Sequence, residues 1–259
     1  IVCLWEYRGM GKSRPYNKEE FSCITMQDWA IDIRSVLDFL EARYPDWPKL
    51  MIGHSIGGQL LGLIPNHKIL KGMIMINCST GTWWHHRFPY KLKSYFFFNI
   101  LTPLTVPFVG YLPAKKLRIM EDLPAALILE WREWCNSENY LFDFLGKSIA
   151  HNAYDDIKLP IKAYWTTDDP IANAVTVPAL LRHFRKADIM TEAIRPADYG
   201  VKSIAHFGLF SRKFKNHFWE KIVNDASVLM IGAPAKTRGA TISGPAAPAS
   251  LTAKITQSA

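Results

Sequence analysis

Short apolar runs alternate with amphipathic segments along most of this chain of 259 residues. Five runs have the length and composition of buried β-strands; they are residues 1–7, 49–52, 73–78, 161–165 and 189–194. Between several of them, apolar positions recur every three or four residues, as in a helix with one buried face. Strands alternating with helices predict an α/β fold, a mostly parallel sheet flanked by helices.

Three of the predicted helices have recognisable bounds. The first begins at Thr25 and Asp28, which stand at capping-box spacing, and ends near residue 44 before Pro45. The others cover residues 175–184 and 207–224 approximately. Each of these helices lies before or after a predicted strand, which is the arrangement that a parallel sheet requires.

A region rich in aromatic residues interrupts this alternation between residues 81 and 156. Within it, residues 95–114 carry no charge over 20 residues, the length of a membrane span. Pro103, Pro107 and Pro113 argue against a span, because each removes a backbone hydrogen bond that a helix in lipid needs. We expect a helical hairpin that is buried or lies at the mouth of a site. Contact of residues 95–112 with a membrane surface is the less favoured alternative.

These changes of pattern predict three parts of the chain. Residues 1–80 and 157–225 form an α/β core, and residues 81–156 form a cap inserted into it. Residues 226–259 consist largely of Ala, Pro, Gly, Ser and Thr without periodicity, so we expect a disordered tail.

Composition narrows the classes of function. The net charge is +8, but the basic residues are scattered and the densest run, residues 212–215, is short, which disfavours nucleic-acid binding. The four cysteines are far apart and form no metal-ligand spacing, and the neighbours His85 and His86 lack a third ligand. We therefore expect no metal site, reduced thiols and a cytoplasmic protein.

The candidate chemistry centres on Gly53-His54-Ser55-Ile56-Gly57. The pattern G-x-S-x-G is weak by itself, but here it lies between an apolar strand and a helix start. In that position a sharp turn lifts the serine above the sheet, and the glycines allow the turn without side-chain clashes. The helix start favours negative charge on a reacting oxygen, so Ser55 is a candidate nucleophile.

A serine hydroxyl needs a histidine base and a carboxylate that orients it. In a fold of this kind the acid and then the histidine follow later strands. Asp168 and Asp169 come after the strand that ends at Trp165, and His206 comes after the next strand. The strand that ends near Ile76 is followed by no carboxylate. The sequence thus offers one base and two candidate acids.

With these residues in view, the chain resembles the α/β-hydrolase superfamily and, within it, the serine-aminopeptidase-like group of predicted serine hydrolases. The resemblance rests on Glu6-Tyr7-Arg8-Gly9-Met10-Gly11-Lys12-Ser13, similar to the D-Y-R-G-x-G-x-S loop of that group, and on Ser55, residues 168–172 and residues 206–208. It implies that Ser55 is the nucleophile, Asp169 the orienting acid and His206 the base. It also implies that the backbone N–H of Ile56 is an oxyanion donor.

The chain departs from that family pattern at its beginning. Family members carry about three strands before the Arg8-Gly9 loop, and the turn after the third strand supplies a second oxyanion N–H. Nothing of this kind precedes Ile1, so we expect an N-terminally truncated chain in which these strands are missing. Glu6 also stands where the family has Asp, which does not affect the three reacting side chains.

The sequence as a whole predicts a serine hydrolase that needs no cofactor. Its expected partner is a small acyl substrate, a hydrophobic carboxylic ester, thioester or lactone, held under an aromatic cap. His54, Trp83 and Trp84 are the candidate substrate contacts. The alternative is a non-catalytic or truncated homologue whose oxyanion hole is incomplete. The oligomeric state is left open.

Overall fold

The computed structural model describes residues 1–231 of the chain. Six β-strands occur among these residues: β1 (Lys49–His54), β2 (Leu70–Ile76), β3 (Tyr111–Leu112), β4 (Leu123–Pro124), β5 (Ile161–Thr166) and β6 (Ile189–Ile194). The α-helices of this part are α1 (Lys18–Ser22), α2 (Met26–Arg43), α3 (Ile56–Gln59), α4 (Tyr90–Phe96), α5 (Thr102–Val109), α6 (Ala125–Cys135), α7 (Thr176–Leu181) and α8 (Glu220–Ile231). Short 3₁₀ turns and π-helical stretches account for further helical residues.

A parallel sheet in the order β1-β2-β5-β6 confirms four of the five predicted strands. Strand β2 is buried at every position except Lys71, because a central strand of such a sheet is covered on both faces. Since all four strands run in the same direction, their carboxyl ends lie at one edge of the sheet. The predicted site residues Ser55, Asp169 and His206 lie in the segments that follow β1, β5 and β6, and these segments all start from that edge.

Residue contacts divide the chain into two compact units. The helical unit comprises residues 1–45, 60–67 and 80–154, and the sheet unit comprises residues 46–59, 68–79 and the described residues from 155 on. The predicted cap, residues 81–156, falls almost wholly in the helical unit, together with residues 1–45. Its function as a cap stays a prediction.

The helical unit is built around α2 and α6. The predicted capping box at the start of α2 is present, since Thr25 Oγ1 accepts from Asp28 N at 3.1 Å and Asp28 Oδ2 accepts from Thr25 N at 2.8 Å. Glu130 of α6 accepts from the N–H of Met26 at 2.8 Å, which ties the two helices together. The Arg8 guanidinium, which donates to Asp32 at 2.7 Å, anchors the loop before α1 to α2.

Residues 1–7 do not form the predicted strand. Ile1, Val2 and Leu4 are exposed, and the segment joins neither sheet of the described residues. A β-strand is stabilised by backbone hydrogen bonds to a neighbouring strand. An apolar run that has no such neighbour therefore stays irregular, whatever its composition.

Residues 90–109 form one continuous helical segment, so the predicted hairpin is wrong. A π-helical stretch, Phe97–Leu101, joins α4 to α5. In π-helical geometry the Phe98 carbonyl would accept from residue 103, but Pro103 has no N–H. Arg132 Nε donates to this carbonyl at 2.8 Å instead, which lets the helix continue through the proline. Among the described residues, no helix has both the length and the apolar character to cross a membrane.

The last predicted helix starts later and ends later than expected. Its α-helical part is α8, preceded by 3₁₀ turns and the π-helical stretch Lys215–Trp219. The predicted disorder is wrong for residues 226–231, because Leu229 packs into the sheet core beside Ile74 and Tyr164. The rest of the predicted tail, residues 232–259, lies outside the described residues.

Candidate active site

Ser55 occupies a strained turn between β1 and α3. Its φ of 51° lies in the left-handed region that non-glycine residues seldom adopt. The Ser55 N–H donates to the Ile76 carbonyl of β2 at 3.1 Å, and the Ser55 carbonyl accepts from Gly58 N at 3.2 Å. A Cβ at Gly53 would lie 2.8 Å from the backbone of Gly57, so this close turn requires glycine at position 53.

Ser55, His206 and Asp169 form one chain of hydrogen bonds. His206 Nδ1 donates to Asp169 Oδ2 at 2.6 Å, which leaves Nε2 as the acceptor for the Ser55 hydroxyl at 3.0 Å. Asp169 is fully buried and His206 is 8% exposed, so little water competes for these bonds. The second Asp169 oxygen accepts from the Ile171 N–H at 2.8 Å, which fixes the carboxylate plane. The structure thus brings together the three side chains that the sequence singles out.

Asp168, the other candidate acid, bonds elsewhere. Its carboxylate accepts from Ser203 Oγ at 2.7 Å, Ile204 N at 2.8 Å and Ala205 N at 3.1 Å, all just before His206. Partial burial acts to raise the pKa of Asp168, but these hydrogen bonds outweigh it and the pKa is lowered. Asp168 is therefore a charged anchor for the loop that carries His206.

Asn77 holds the same loop from the centre of the sheet, and the sequence analysis passed over it. Its side-chain Nδ2 donates to the His206 carbonyl at 2.8 Å, and its Oδ1 accepts from Thr166 N at 2.9 Å. Asn77 is fully buried at the end of β2, between the strands that lead to Ser55 and Asp169. The sequence signal for Asn77 is a polar residue directly after an apolar strand. In the sequence analysis we considered only that no carboxylate stands at this strand end.

His54 contacts His206 through the backbone carbonyl of His206. Its Nε2 donates to the His206 carbonyl at 2.9 Å, because a carbonyl can only accept, and the two rings lie 4.8 Å apart. Burial, followed by the nearby His206, lowers the pKa of His54 to about 4. His54 is thus neutral at pH 7 and places no charge beside the His206 ring.

The other predicted site residues fall into different surroundings. Ile56 is the first residue of α3, where helix geometry leaves the backbone N–H without a partner inside the helix. Trp83 and Trp84 belong to the helical unit, where Trp83 Nε1 donates to Asn136 Oδ1 at 3.0 Å. Contact of either tryptophan with a substrate stays a prediction.

Thiol and metal chemistry find little support in the described residues. Burial raises the pKa of Cys78 to about 12, so its thiol stays protonated at neutral pH and is a poor nucleophile. All four cysteines are free. Within residues 1–231, no cluster of three or more His, Cys, Asp or Glu side chains could hold a metal ion.

The parallel sheet and the turn at Ser55 define the α/β-hydrolase fold. A sequence model of the alpha/beta hydrolase family matches residues 2–208, and the chain therefore belongs to that family. Membership of the serine-aminopeptidase-like group stays a prediction.

The chain is also similar to several solved structures of low sequence identity. Alpha/beta hydrolase domain-containing protein 10 from mouse is 18% identical, with 86% of this chain and 75% of that chain covered and a TM-score of 0.47. A thermophilic esterase from Thermogutta terrifontis is 13% identical, with 87% and 79% covered and a TM-score of 0.47. A monoacylglycerol lipase from Paleococcus ferrophilus is 12% identical, with 80% and 76% covered and a TM-score of 0.45. No curated protein matched the chain in sequence.

Proposed function

We propose that the protein is a serine hydrolase of the esterase type, with Ser55 as nucleophile, His206 as base and Asp169 as orienting acid. The observation that carries this proposal is the hydrogen-bonded chain from the Ser55 hydroxyl through the His206 ring to the buried Asp169 carboxylate. Each member of the chain has the partner that its chemical task requires.

In the proposed reaction, His206 Nε2 takes the hydroxyl proton while Ser55 Oγ attacks the acyl carbonyl. The C–O bond to the leaving group then breaks, and the same proton passes from His206 to the leaving oxygen. Water attacks the acyl-enzyme in the second half, again giving a proton to His206, and the carboxylic acid leaves as Ser55 recovers its proton. The Asp169 carboxylate stabilises the imidazolium that forms twice in this cycle.

Negative charge develops on the carbonyl oxygen in both tetrahedral intermediates. The backbone N–H of Ile56 follows Ser55 directly at the start of α3, so it is the proposed donor to that oxygen. A single donor of this kind contributes about 10²- to 10³-fold to the rate in serine hydrolases.

A hydrophobic ester, thioester or lactone is the proposed class of substrate. Two phenylalanines of the sheet unit support this choice, because they lie beside the reacting groups and expose apolar surface. The Phe207 ring is 5.0 Å from the His206 ring and 70% exposed, and Phe210 contacts His54 at 4.9 Å. Exposed aromatic side chains next to a buried base offer a surface for an apolar substrate group.

The two aspartates provide a matched test of the assignment. With p-nitrophenyl butyrate as substrate, Ser55→Ala should abolish turnover above background, and Asp169→Asn should lower kcat by about 10⁴-fold. Asp168→Asn should cost about tenfold or less, because Asp168 anchors the loop and does not touch the ring of His206. Circular dichroism and urea unfolding establish that each variant is folded. Turnover that survives in Ser55→Ala, or a larger loss for Asp168→Asn than for Asp169→Asn, would contradict the proposal.

A further inference from the structure

The helical segment over residues 90–109 has two opposite faces of different character. Its outer face is exposed and consists of apolar residues at four-residue spacing; these are Leu92, Phe96, Ile100, Leu104 and Phe108. Its inner face is buried and has the same spacing, offset by two residues; it consists of Ser94, Phe98, Thr102 and Val106. On the surface of a water-soluble helix the outward positions are normally polar. In this segment the outward positions 92, 96, 100, 104 and 108 are apolar instead.

Contacts inside the helical unit fix which face points outward. Phe98 packs against Trp131 of α6 with ring centroids 5.2 Å apart, and Arg132 Nε holds the Phe98 carbonyl at 2.8 Å. Ser94 Oγ bonds to His86 Nδ1 at 2.8 Å on the same inner side. The segment therefore cannot turn about its axis to bury the outer face without losing these contacts.

The outer face is apolar surface of substantial size. Leu104 is 64% exposed and Phe108 is 85% exposed, with Leu92 and Phe96 both above 50%. At 1.5 Å per residue in an α-helix, a segment of this length spans roughly 30 Å. A contiguous apolar strip on a stably packed helix is characteristic of a surface that meets a partner.

Charge at both ends of the strip indicates the chemistry of that partner. Residues 81–120 contain six Lys and Arg side chains and no Asp or Glu. Arg87, Lys91 and Lys93 lie at the beginning of the helical segment, and Lys115, Lys116 and Arg118 follow its end. Residues 115–120 are all exposed, and Leu117, Ile119 and Met120 extend the apolar surface there. Lys115 pairs with Glu121 at 3.1 Å, so the basic surface at this end rests on Lys116 and Arg118.

We propose that the outer face binds the surface of an anionic phospholipid membrane, with the helix in the plane of the interface. The five apolar side chains would enter the boundary between headgroups and acyl chains, and the flanking cations would meet anionic headgroups. A second copy of this chain fits less well, because pairing two outer faces would bring two sets of basic residues together. Binding of this kind needs no membrane-spanning helix.

Flotation of the full chain with lipid vesicles tests the proposal. The vesicles are phosphatidylcholine alone, or phosphatidylcholine with 30 mol% phosphatidylserine. The protein should float with the anionic vesicles, less with the neutral ones, and less at high salt because screening weakens the headgroup contacts. Equal flotation with both kinds of vesicle, or none with either, overturns the proposal.

Two pairs of variants locate the binding surface. Leu104→Gln with Phe108→Gln should lower the vesicle partition coefficient at least tenfold, whereas Phe39→Gln, an exposed apolar residue of α2, should leave it unchanged. Lys116→Gln with Arg118→Gln should lower it about 25-fold on anionic vesicles, since each cation contributes about fivefold. The matched control is Lys68→Gln with Lys202→Gln, two exposed lysines elsewhere, which should have a much smaller effect.

Two further readouts keep the result interpretable. All substituted side chains are exposed, and urea unfolding should be unchanged in each variant. Light scattering reports association without lipid. If the wild type is a dimer that Leu104→Gln with Phe108→Gln makes monomeric, while vesicles bind neither form, the outer face is a protein interface and the proposal is wrong. The proposal does not depend on ester hydrolysis, so loss of the proposed function would leave it standing.

Discussion

The loop that carries His206 is held by polar residues other than Ser55 and Asp169. The His206 carbonyl accepts from both Asn77 Nδ2 and His54 Nε2, and Thr166 Oγ1 donates to the Ala205 carbonyl at 3.0 Å. Ala205 has a φ of 53°, a strained conformation that persists only where the surroundings enforce it. We infer that these bonds set the position of the His206 ring relative to Ser55.

Asn77→Asp tests this positioning effect with little change of shape. Aspartate keeps the size of the side chain and tolerates the φ of 49° at this position, but it lacks the Nδ2 donor. We expect kcat for ester hydrolysis to fall about 10- to 100-fold, with KM changed less than threefold. Asn216→Asp, at an exposed site, is the control. If KM rises and kcat is constant, Asn77 contacts the substrate and does not position His206.

Phe207 tests the proposed class of substrate. Phe207→Ala removes exposed apolar surface beside His206 and leaves the hydrogen bonds of the ring in place. We expect kcat/KM to fall about tenfold for an octanoate ester and less than threefold for an acetate ester, because only the longer chain reaches this surface. Steady-state kinetics with the two p-nitrophenyl esters measure the difference. A uniform loss on both esters would speak against an apolar contact at this position.

At the scale of elements, the turn between β1 and α3 has no room for a side chain at residue 53. A Cβ on Gly53 would approach Gly57 C, Gly58 N and Met73 Cε, all at 2.8 Å. Gly53→Ala should therefore displace Ser55, lower esterase activity at least 100-fold and destabilise the protein by about 2 kcal/mol. Gly72→Ala in β2 is the matched control, because its nearest atoms lie at 3.2 to 3.3 Å. Urea unfolding and ester turnover are measured for both variants. Equal losses of stability and activity in Gly53→Ala and Gly72→Ala would contradict the steric argument for Gly53.

The pattern of apolar residues predicted elements well where burial alone decides them. Strands β2 and β5 are apolar because both faces are covered, and their positions follow from composition. The same reasoning failed for residues 1–7, because strand formation also needs a pairing partner that composition does not reveal. It failed again for the helix over residues 90–109, where Arg132, distant in sequence, supplies the donor that Pro103 lacks.

The candidate site was also predicted only in part, because the sequence reveals motifs and strand order but not contacts between distant residues. Ser55, the pair Asp168 and Asp169, and His206 follow strands of one parallel sheet, so strand order and motif located these candidates. The choice of Asp169 over Asp168 came from the family resemblance. Asn77 and the anchoring bonds of Asp168 went unnoticed, because they act through the backbone of residues 204–206. Contacts to backbone atoms require no particular side chain in the partner residue, so the sequence marks them weakly, in the case of Asn77 only by a polar residue after an apolar strand.

At the scale of the whole molecule, His54 links stability to pH. Its pKa is about 4 in the folded protein and 6.5 in the unfolded chain, so between these values only the unfolded chain is protonated. Protonation of His54 therefore favours the unfolded chain. The free energy of unfolding is unaffected by His54 above about pH 6.5, falls as the pH drops towards 4, and loses nothing further through His54 below pH 4. The difference corresponds to at most about 3 kcal/mol.

Urea unfolding at pH 7 and pH 4.5 measures this effect. His54→Gln keeps an N–H donor but does not titrate, so the variant should lose about 2 to 3 kcal/mol less than the wild type between the two pH values. His151→Gln, an exposed histidine, should lose as much as the wild type. Equal losses in wild type and His54→Gln would show that His54 is not the source.

The proposed activity of the whole chain requires that Ser55, His206 and Asp169 be assembled in solution as they are in the structure. Labelling by a fluorophosphonate measures this directly, because the reagent reacts with a serine only when a neighbouring base activates it. The labelled peptide, identified by mass spectrometry, should contain Ser55, and Ser55→Ala should remain unlabelled while still folded. A folded wild type that is not labelled, or one labelled at another serine, would contradict the proposed mechanism.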